Sequence, residues 1–209
     1  MQRHIKIGLI VISIGFMVSL GFFVDIVGRI QSLVNDQETE ENPFKPEVEP
    51  LFSPTDPPMA AKIFFPSAGG DVLLSYEDAT IFKSADVTKQ AKQILKLLSD
   101  GPKTQNLTGV FPQDTKVNEV FISDDAVAFV DFSNNISTNH PGGILNEQAT
   151  IYSIVNSLTY NIREIQQVKI LVGGAEKETL AGHCLLLLPL EMDLSISNVS
   201  PPPEIANAQ

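Results

Sequence analysis

The sequence has no tryptophan, one cysteine and three histidines among 209 residues. A lone thiol, Cys184, makes no internal disulfide and cannot build a cysteine-rich zinc site. It reads as a small buried apolar residue. The histidines stand apart at His4, His140 and His183, without an HExxH or other paired spacing, so no metal ligand set is read from them. Basic residues are also scarce. The chain carries 14 Lys and Arg against 25 Asp and Glu, a formal charge of −11. That balance argues against a nucleic-acid partner, which needs clustered cations on the phosphates, and against docking on anionic lipid headgroups. The glycine pairs Gly69-Gly70, Gly142-Gly143 and Gly173-Gly174 lack the frame of a phosphate loop and read as turns, and no GxSxG elbow is present.

What the chain does contain begins with an apolar run. Residues Ile7 to Val24 (IGLIVISIGFMVSLGFFV) carry no charge, come after Arg3, His4 and Lys6, and precede Asp25. The run is close to the roughly 20 residues that span a bilayer as a helix, and its positive flank predicts a cytoplasmic N-terminus. Residues 1–34 are therefore read as a cytoplasmic tip, an uncleaved signal anchor and a juxtamembrane turn. A cleaved signal peptide is the rival reading, and either one exports the rest of the chain. Residues 35–61 are acidic and hold Pro43, Pro46, Pro50, Pro54, Pro57 and Pro58. They read as an extended linker. A folded domain is expected over residues 62–197, with a disordered tail over 198–209.

Within the domain, Lys62 to Pro66 reads as a strand, and Val72 to Tyr76 and Ala79 to Phe82 as extended pieces. A helix starts at the N-cap Asp86, buries Val87, Ala91, Ile94, Leu95 and Leu98 on one stripe, and stops at Gly101-Pro102. Lys116 to Ser123 and Ala126 to Ser133 form a hairpin around Asp124-Asp125. Asn134 to Gly143 reads as a loop. A second helix is expected from about Glu147 to Tyr160, with Asn146 as N-cap and a wide apolar stripe that implies burial on more than one side. Val168 to Val172 alternates as a strand, and Leu180 to Ile196 reads as a last extended segment. The expected fold is α+β: a two-layer sandwich in which a mixed sheet, in the order β-α-β-β-α-β, carries two helices on one face.

Three constellations invite chemistry. His183 and Cys184 are adjacent, yet neighbours in an extended segment point to opposite faces. Asp124 and Asp125 lack the oxygen spacing of a calcium loop. Asp131, between Val130 and Phe132, reads as a strand-end carboxylate that accepts from loop amides. No catalytic, cofactor-binding or metal residues are assigned, and no binding face is read from the sequence.

The order of segments resembles the GerMN (sporulation and spore germination) family. The residues that carry the resemblance are ILKLLSDGP (Ile94 to Pro102), FPQDTKV (Phe111 to Val117), AVAFVDFS (Ala126 to Ser133), QATIYSIVNSLTY (Gln148 to Tyr160), VKILVGG (Val168 to Gly174) and LAGHCLLLLP (Leu180 to Pro189). The resemblance implies an exported α+β domain that looks like the ring-building modules of secretion systems and assists assembly of envelope complexes. It carries over no catalytic residues. The expectation is a membrane-anchored, non-enzymatic interaction module on the extracytoplasmic side of the cell membrane. Its expected partners are other envelope proteins, with peptidoglycan and a second copy of the chain as further candidates. The alternative is a cell-wall hydrolase or ligand-binding domain.

Overall fold

The computed structural model describes residues 17, 19–31, 50–69 and 73–199, which fall in two units divided after Glu49. In the first unit, residues 19–31 form helix α1, whose Arg29 and Asp25 pair at 3.1 Å one turn apart. Most of the expected span Ile7 to Val24 lies outside the described residues. No described helix is long and apolar enough to cross a membrane.

The second unit begins with an antiparallel hairpin, β1 (Pro58–Pro66) and β2 (Leu74–Phe82). It is a sheet of its own, which corrects the expected order: the first strand does not join the main sheet. It also corrects the linker boundary, because Pro58 to Ala61 are strand and the residues before them pack. Phe52 stacks on Phe82 with ring centroids 4.2 Å apart.

Helix α2 (Val87–Asp100) obeys its sequence signals closely. Asp86 caps it by accepting from the Thr88 N–H at 2.9 Å, and Gly101 ends it at φ 81°. Strands β3 (Val117–Ile122) and β4 (Val127–Phe132) pair antiparallel. The loop between them is longer than a two-residue turn. Ala126 takes φ 62° and donates its N–H to the Ser123 carbonyl at 3.1 Å, the pattern of a three-residue hairpin loop ending in a left-handed residue.

Part of the expected loop after β4 is a single helical turn, α3 (Asn135–Thr138). Helix α4 (Ile144–Asn161) starts three residues before the expected position, directly after Gly143 at φ 86°, so Asn146 lies inside its first turn and is not its cap. Strand β5 (Gln167–Val172) runs parallel to β4, and β6 (Leu190–Glu191) closes the four-stranded sheet in the order β3-β4-β5-β6. The rest of the expected extended segment Leu180 to Ile196 is irregular. Gly173 is required where β5 ends: at φ 62°, a Cβ there would lie 2.7 Å from the Asn134 Oδ1.

Helices α2 and α4 pack on one face of that sheet. Val120, Ala128, Val130, Phe132, Val168 and Ile170 share a core with Ala91, Ile94, Leu95, Leu98, Ile151, Ile154, Val155 and Leu158. The β1–β2 hairpin adds Ala61, Ile63, Phe65 and Ile81 to the same core, so the domain is larger than two layers of one sheet and two helices. Eleven of the 18 residues of α4 are buried, five of them Thr150, Ser153, Asn156, Ser157 and Thr159. Much of that polarity serves backbone that has no strand beside it. The Ser157 hydroxyl accepts from the Phe64 N–H at 2.9 Å on the free edge of β1. The Asn156 carboxamide accepts from the Asp193 N–H at 3.0 Å and donates to the Asp193 carbonyl at 2.7 Å. An exposed strand edge invites pairing with another chain, and α4 closes the β1 edge with side chains.

Candidate functional site

The first turns of α4 lie against the segment between β5 and β6, and a buried carboxylate joins them. Glu147 is fully buried. It accepts from the backbone N–H of His183 at 3.0 Å and of Cys184 at 3.0 Å, and from the His183 Nδ1 at 2.7 Å. Burial pushes its carboxyl up, but the Cys184 amide, the His183 ring and the Ala181 and His183 amides outweigh burial and hold it below the usual carboxylate range. A buried carboxylate is tolerated only when its oxygens are hydrogen-bonded in this way.

A buried cation holds Leu186 and Leu187. Lys169 projects from β5 on the sheet face opposite the helices and is 2 % exposed. It donates to the Leu186 carbonyl at 3.0 Å and the Leu187 carbonyl at 2.5 Å, with the Glu176 carboxylate 3.4 Å away. The Ser137 hydroxyl donates to the Leu180 carbonyl at 2.5 Å. The Glu178 carbonyl accepts from the Leu186 N–H at 2.8 Å. The loop is thus fixed by its backbone: two buried charges of opposite sign on two different elements hold His183, Cys184, Leu186 and Leu187, and the Ser137 hydroxyl holds Leu180.

The side chains of that fixed loop divide. Leu180 and Leu186 enter the core, whereas Leu185, Leu187 and Leu188 face solvent, Leu188 with 75 % of its surface exposed. Ile144, also exposed, stands across from Leu185 at the start of α4, where its carbonyl is 3.8 Å from the Cys184 Sγ. Between the two elements lies a groove of about 260 Å³ lined by Ile144, Gln148, Tyr152, Cys184, Leu185 and Leu190. An apolar surface held rigid on a folded domain marks an interaction site more often than a packing fault.

Asp131 accepts from the Gly174 N–H at 2.7 Å and from the Asn118 Nδ2 at 2.9 Å, the loop-amide role its setting implies. Asp124 and Asp125 belong to the β3–β4 turn, and no cluster of three His, Cys, Asp or Glu able to hold a metal occurs among the described residues. Cys184 is half-buried at the groove and not a core residue, and burial together with the Glu147 charge pushes its thiol up. His140 lies in a separate network. The Gly142 N–H donates to its Nδ1 at 3.0 Å, which leaves Nε2 as the protonated nitrogen, 3.1 Å from the Thr150 hydroxyl. Burial pushes this imidazole down. The His183 ring is different. Its Nδ1 faces the carboxylate, and its side chain is 47 % exposed. A carboxylate-oriented imidazole of this kind can accept or pass a proton.

Glu147 and Lys169 carry no signal of this role in the sequence. Glu147 reads as an ordinary first-turn acidic residue, and Lys169 as the polar position of an alternating strand. Their partners lie 36 and 17 residues away.

The family described as Germane, sporulation and spore germination, matches residues 62–178. The first GerMN domain of the sporulation protein GerM from Bacillus subtilis aligns with a TM-score of 0.51 and 23% sequence identity, over 66% of this chain and 98% of that one. The tandem GerMN domains of the same protein align with a TM-score of 0.52 and 24% identity, over 65% of this chain and 46% of that one. These likenesses are of fold. No curated protein matches the sequence.

Proposed function

We propose, for a chain that belongs to the sporulation and spore germination family, that its folded domain is a protein-interaction module displayed on the extracytoplasmic side of the membrane. The observation that carries this reading is the Leu185–Leu188 loop. Buried Lys169 holds its Leu186 and Leu187 carbonyls, and buried Glu147 holds the His183 and Cys184 amides just before it, while three of its four leucines face outward. A loop without a partner gains nothing from leucines in water, and holding it rigid removes the entropy that docking would otherwise lose. The uncharged run Ile7 to Val24 supplies the anchor, and the acidic, proline-rich residues after it supply reach.

The half-exposed imidazole of His183 favours a second reading, a hydrolase acting on cell-wall material. The two are separated by incubating the full chain with purified peptidoglycan and with envelope extract. The module reading expects stoichiometric retention of an envelope protein that L185S/L188S abolishes, with no release of muropeptides. Muropeptide release that H183A abolishes would overturn it. Export is checked separately by reporter fusions after Ser200: a cytoplasmic C-terminus would remove the envelope role.

A further inference from the structure

Apart from the leucine loop, we propose that the outer edge of β2 takes, as an added strand, an extended proline-free segment of another protein. The free edges of the two sheets are treated differently. On β1 the Asn161 and Ser157 side chains of α4 take the Lys62 and Phe64 amides. On β3 the pairing with β4 shifts register between Val117 and Glu119, and the Glu119 carboxylate takes the Val120 N–H at 3.0 Å. Both devices blunt an edge. Among the described residues, β2 is closed only at its ends. The Leu74 N–H donates to the Ile196 carbonyl at 2.9 Å. The Gln93 carboxamide accepts from the Phe82 N–H at 2.8 Å and donates to the Phe82 carbonyl at 2.9 Å. Backbone groups alternate along a strand, so Tyr76, Asp78 and Thr80 turn their N–H and C=O to that same side, away from β1. No described residue pairs with them there, and Asp78 and Thr80 are exposed.

An open run of alternating donors and acceptors is matched by the backbone of an extended chain. Helix α2 supplies a second wall. Ala79 and Ile81 pack on the core that α2 also lines, and a groove of about 140 Å³ lies between Thr80, Ile81 and Phe82 on the strand and Gln93, Lys96 and Leu97 on the helix. Side chains of an added strand alternate. Every second one would face this groove, where an apolar group meets Ile81 and Leu97, and the others would face water beside Asp78. A second copy of this chain fits badly. The one twofold pairing that uses all three open residues sets Asp78 directly opposite itself, and like charges so placed destabilise. The chain's own continuation past Val199 also fits badly, because Pro201, Pro202 and Pro203 have no N–H to donate.

The test uses the full chain in detergent micelles and two synthetic eight-residue peptides of alternating valine and lysine, one unmodified and one N-methylated on every amide. Residue-resolved amide exchange should find Tyr76, Asp78 and Thr80 fast in the chain alone, and the unmodified peptide should slow all three. The N-methylated peptide should bind at least about tenfold more weakly. T80P removes one outward N–H and leaves the ladder with β1 intact, so it should weaken the unmodified peptide by a similar factor. L185S/L188S should change neither result. Slow exchange at the three amides in the chain alone, no binding of the unmodified peptide, equal binding of the two peptides, or binding that leaves those amides fast would overturn the proposal. So would self-association in sedimentation that T80P abolishes. Should T80P fail to fold, the contrast between the two peptides decides alone. Peptide binding lost in L185S/L188S and kept in T80P would move the peptide to the leucine loop, and the edge proposal would fall while the module reading stands. Retention of an envelope protein by the leucine loop is read separately, so that reading can fail without touching the edge.

Discussion

The Glu147 carboxylate accepts from both the ring Nδ1 and the backbone N–H of His183, at 2.7 and 3.0 Å, and so ties the first turn of α4 to a loop 36 residues away. Removing one partner of such a network leaves buried donors unsatisfied. E147A should destabilise the domain by about 2–4 kcal/mol. L185S/L188S should change stability by less than about 0.5 kcal/mol, because those side chains are already in water. Denaturant titration of the two variants checks the contrast. Equal stability losses would mean that the leucines are structural.

Asn161 performs the equivalent task at the other end of α4. Its carboxamide accepts from the Lys62 N–H at 2.8 Å and donates to the Lys62 carbonyl at 2.7 Å, taking the place of a neighbouring strand. N161A should cost about 1–3 kcal/mol and raise amide hydrogen exchange at Lys62 and Phe64 before the rest of β1. N161D, which keeps the acceptor and loses the donor, should fall between. Unchanged exchange at Lys62 would contradict the edge-closing role.

Acid should act in two stages. His140 is held below its ordinary value of 6.5, so the unfolded chain binds the proton first and stability falls as pH drops below about 6.5. Glu147 is held below its ordinary value of 4.5, so its contribution is present above that pH and is lost as pH falls through the folded value. Tm measured against pH should lose the upper stage in H140Q and the lower stage in E147Q. A profile unchanged by both substitutions would contradict the assignment.

Ala126 sits at φ 62° between Asp125 and Val127, where a Cβ is disfavoured. A126G relieves a penalty of roughly 1–2 kcal/mol and adds back roughly 0.4–1 kcal/mol of unfolded-state entropy. The variant should gain up to about 1 kcal/mol in thermal unfolding. A loss of stability would show that the alanine methyl contributes packing that outweighs the strain.

What the sequence revealed depended on how local the cause was. Helix α2 was legible to the residue, because its cap Asp86, its apolar stripe and Gly101 all lie within one short window. The β3–β4 hairpin was legible for the same reason. The β1–β2 hairpin was not, because it is separated from the main sheet by Ser157 and Asn161, which read as ordinary polar helix positions. The apolar run Leu185 to Leu188 reads in the sequence only as part of a last extended segment, Leu180 to Ile196. Only Leu186 is buried, since the fate of the others is set by Glu147 and Lys169 on distant elements. Leu-Leu-Leu-Leu before a proline looks the same whether the chain hides it or displays it.

The displayed leucines are tested most directly inside living cells, with a photo-crosslinking residue placed at Leu187 of the full-length chain and, as control, at Asp125 in the β3–β4 turn. The position at Leu187 should give one discrete adduct of an envelope protein that disappears when E147A releases the loop, and Asp125 should give none. No adduct at Leu187, or the same adduct from both positions, would contradict an interaction surface at this loop.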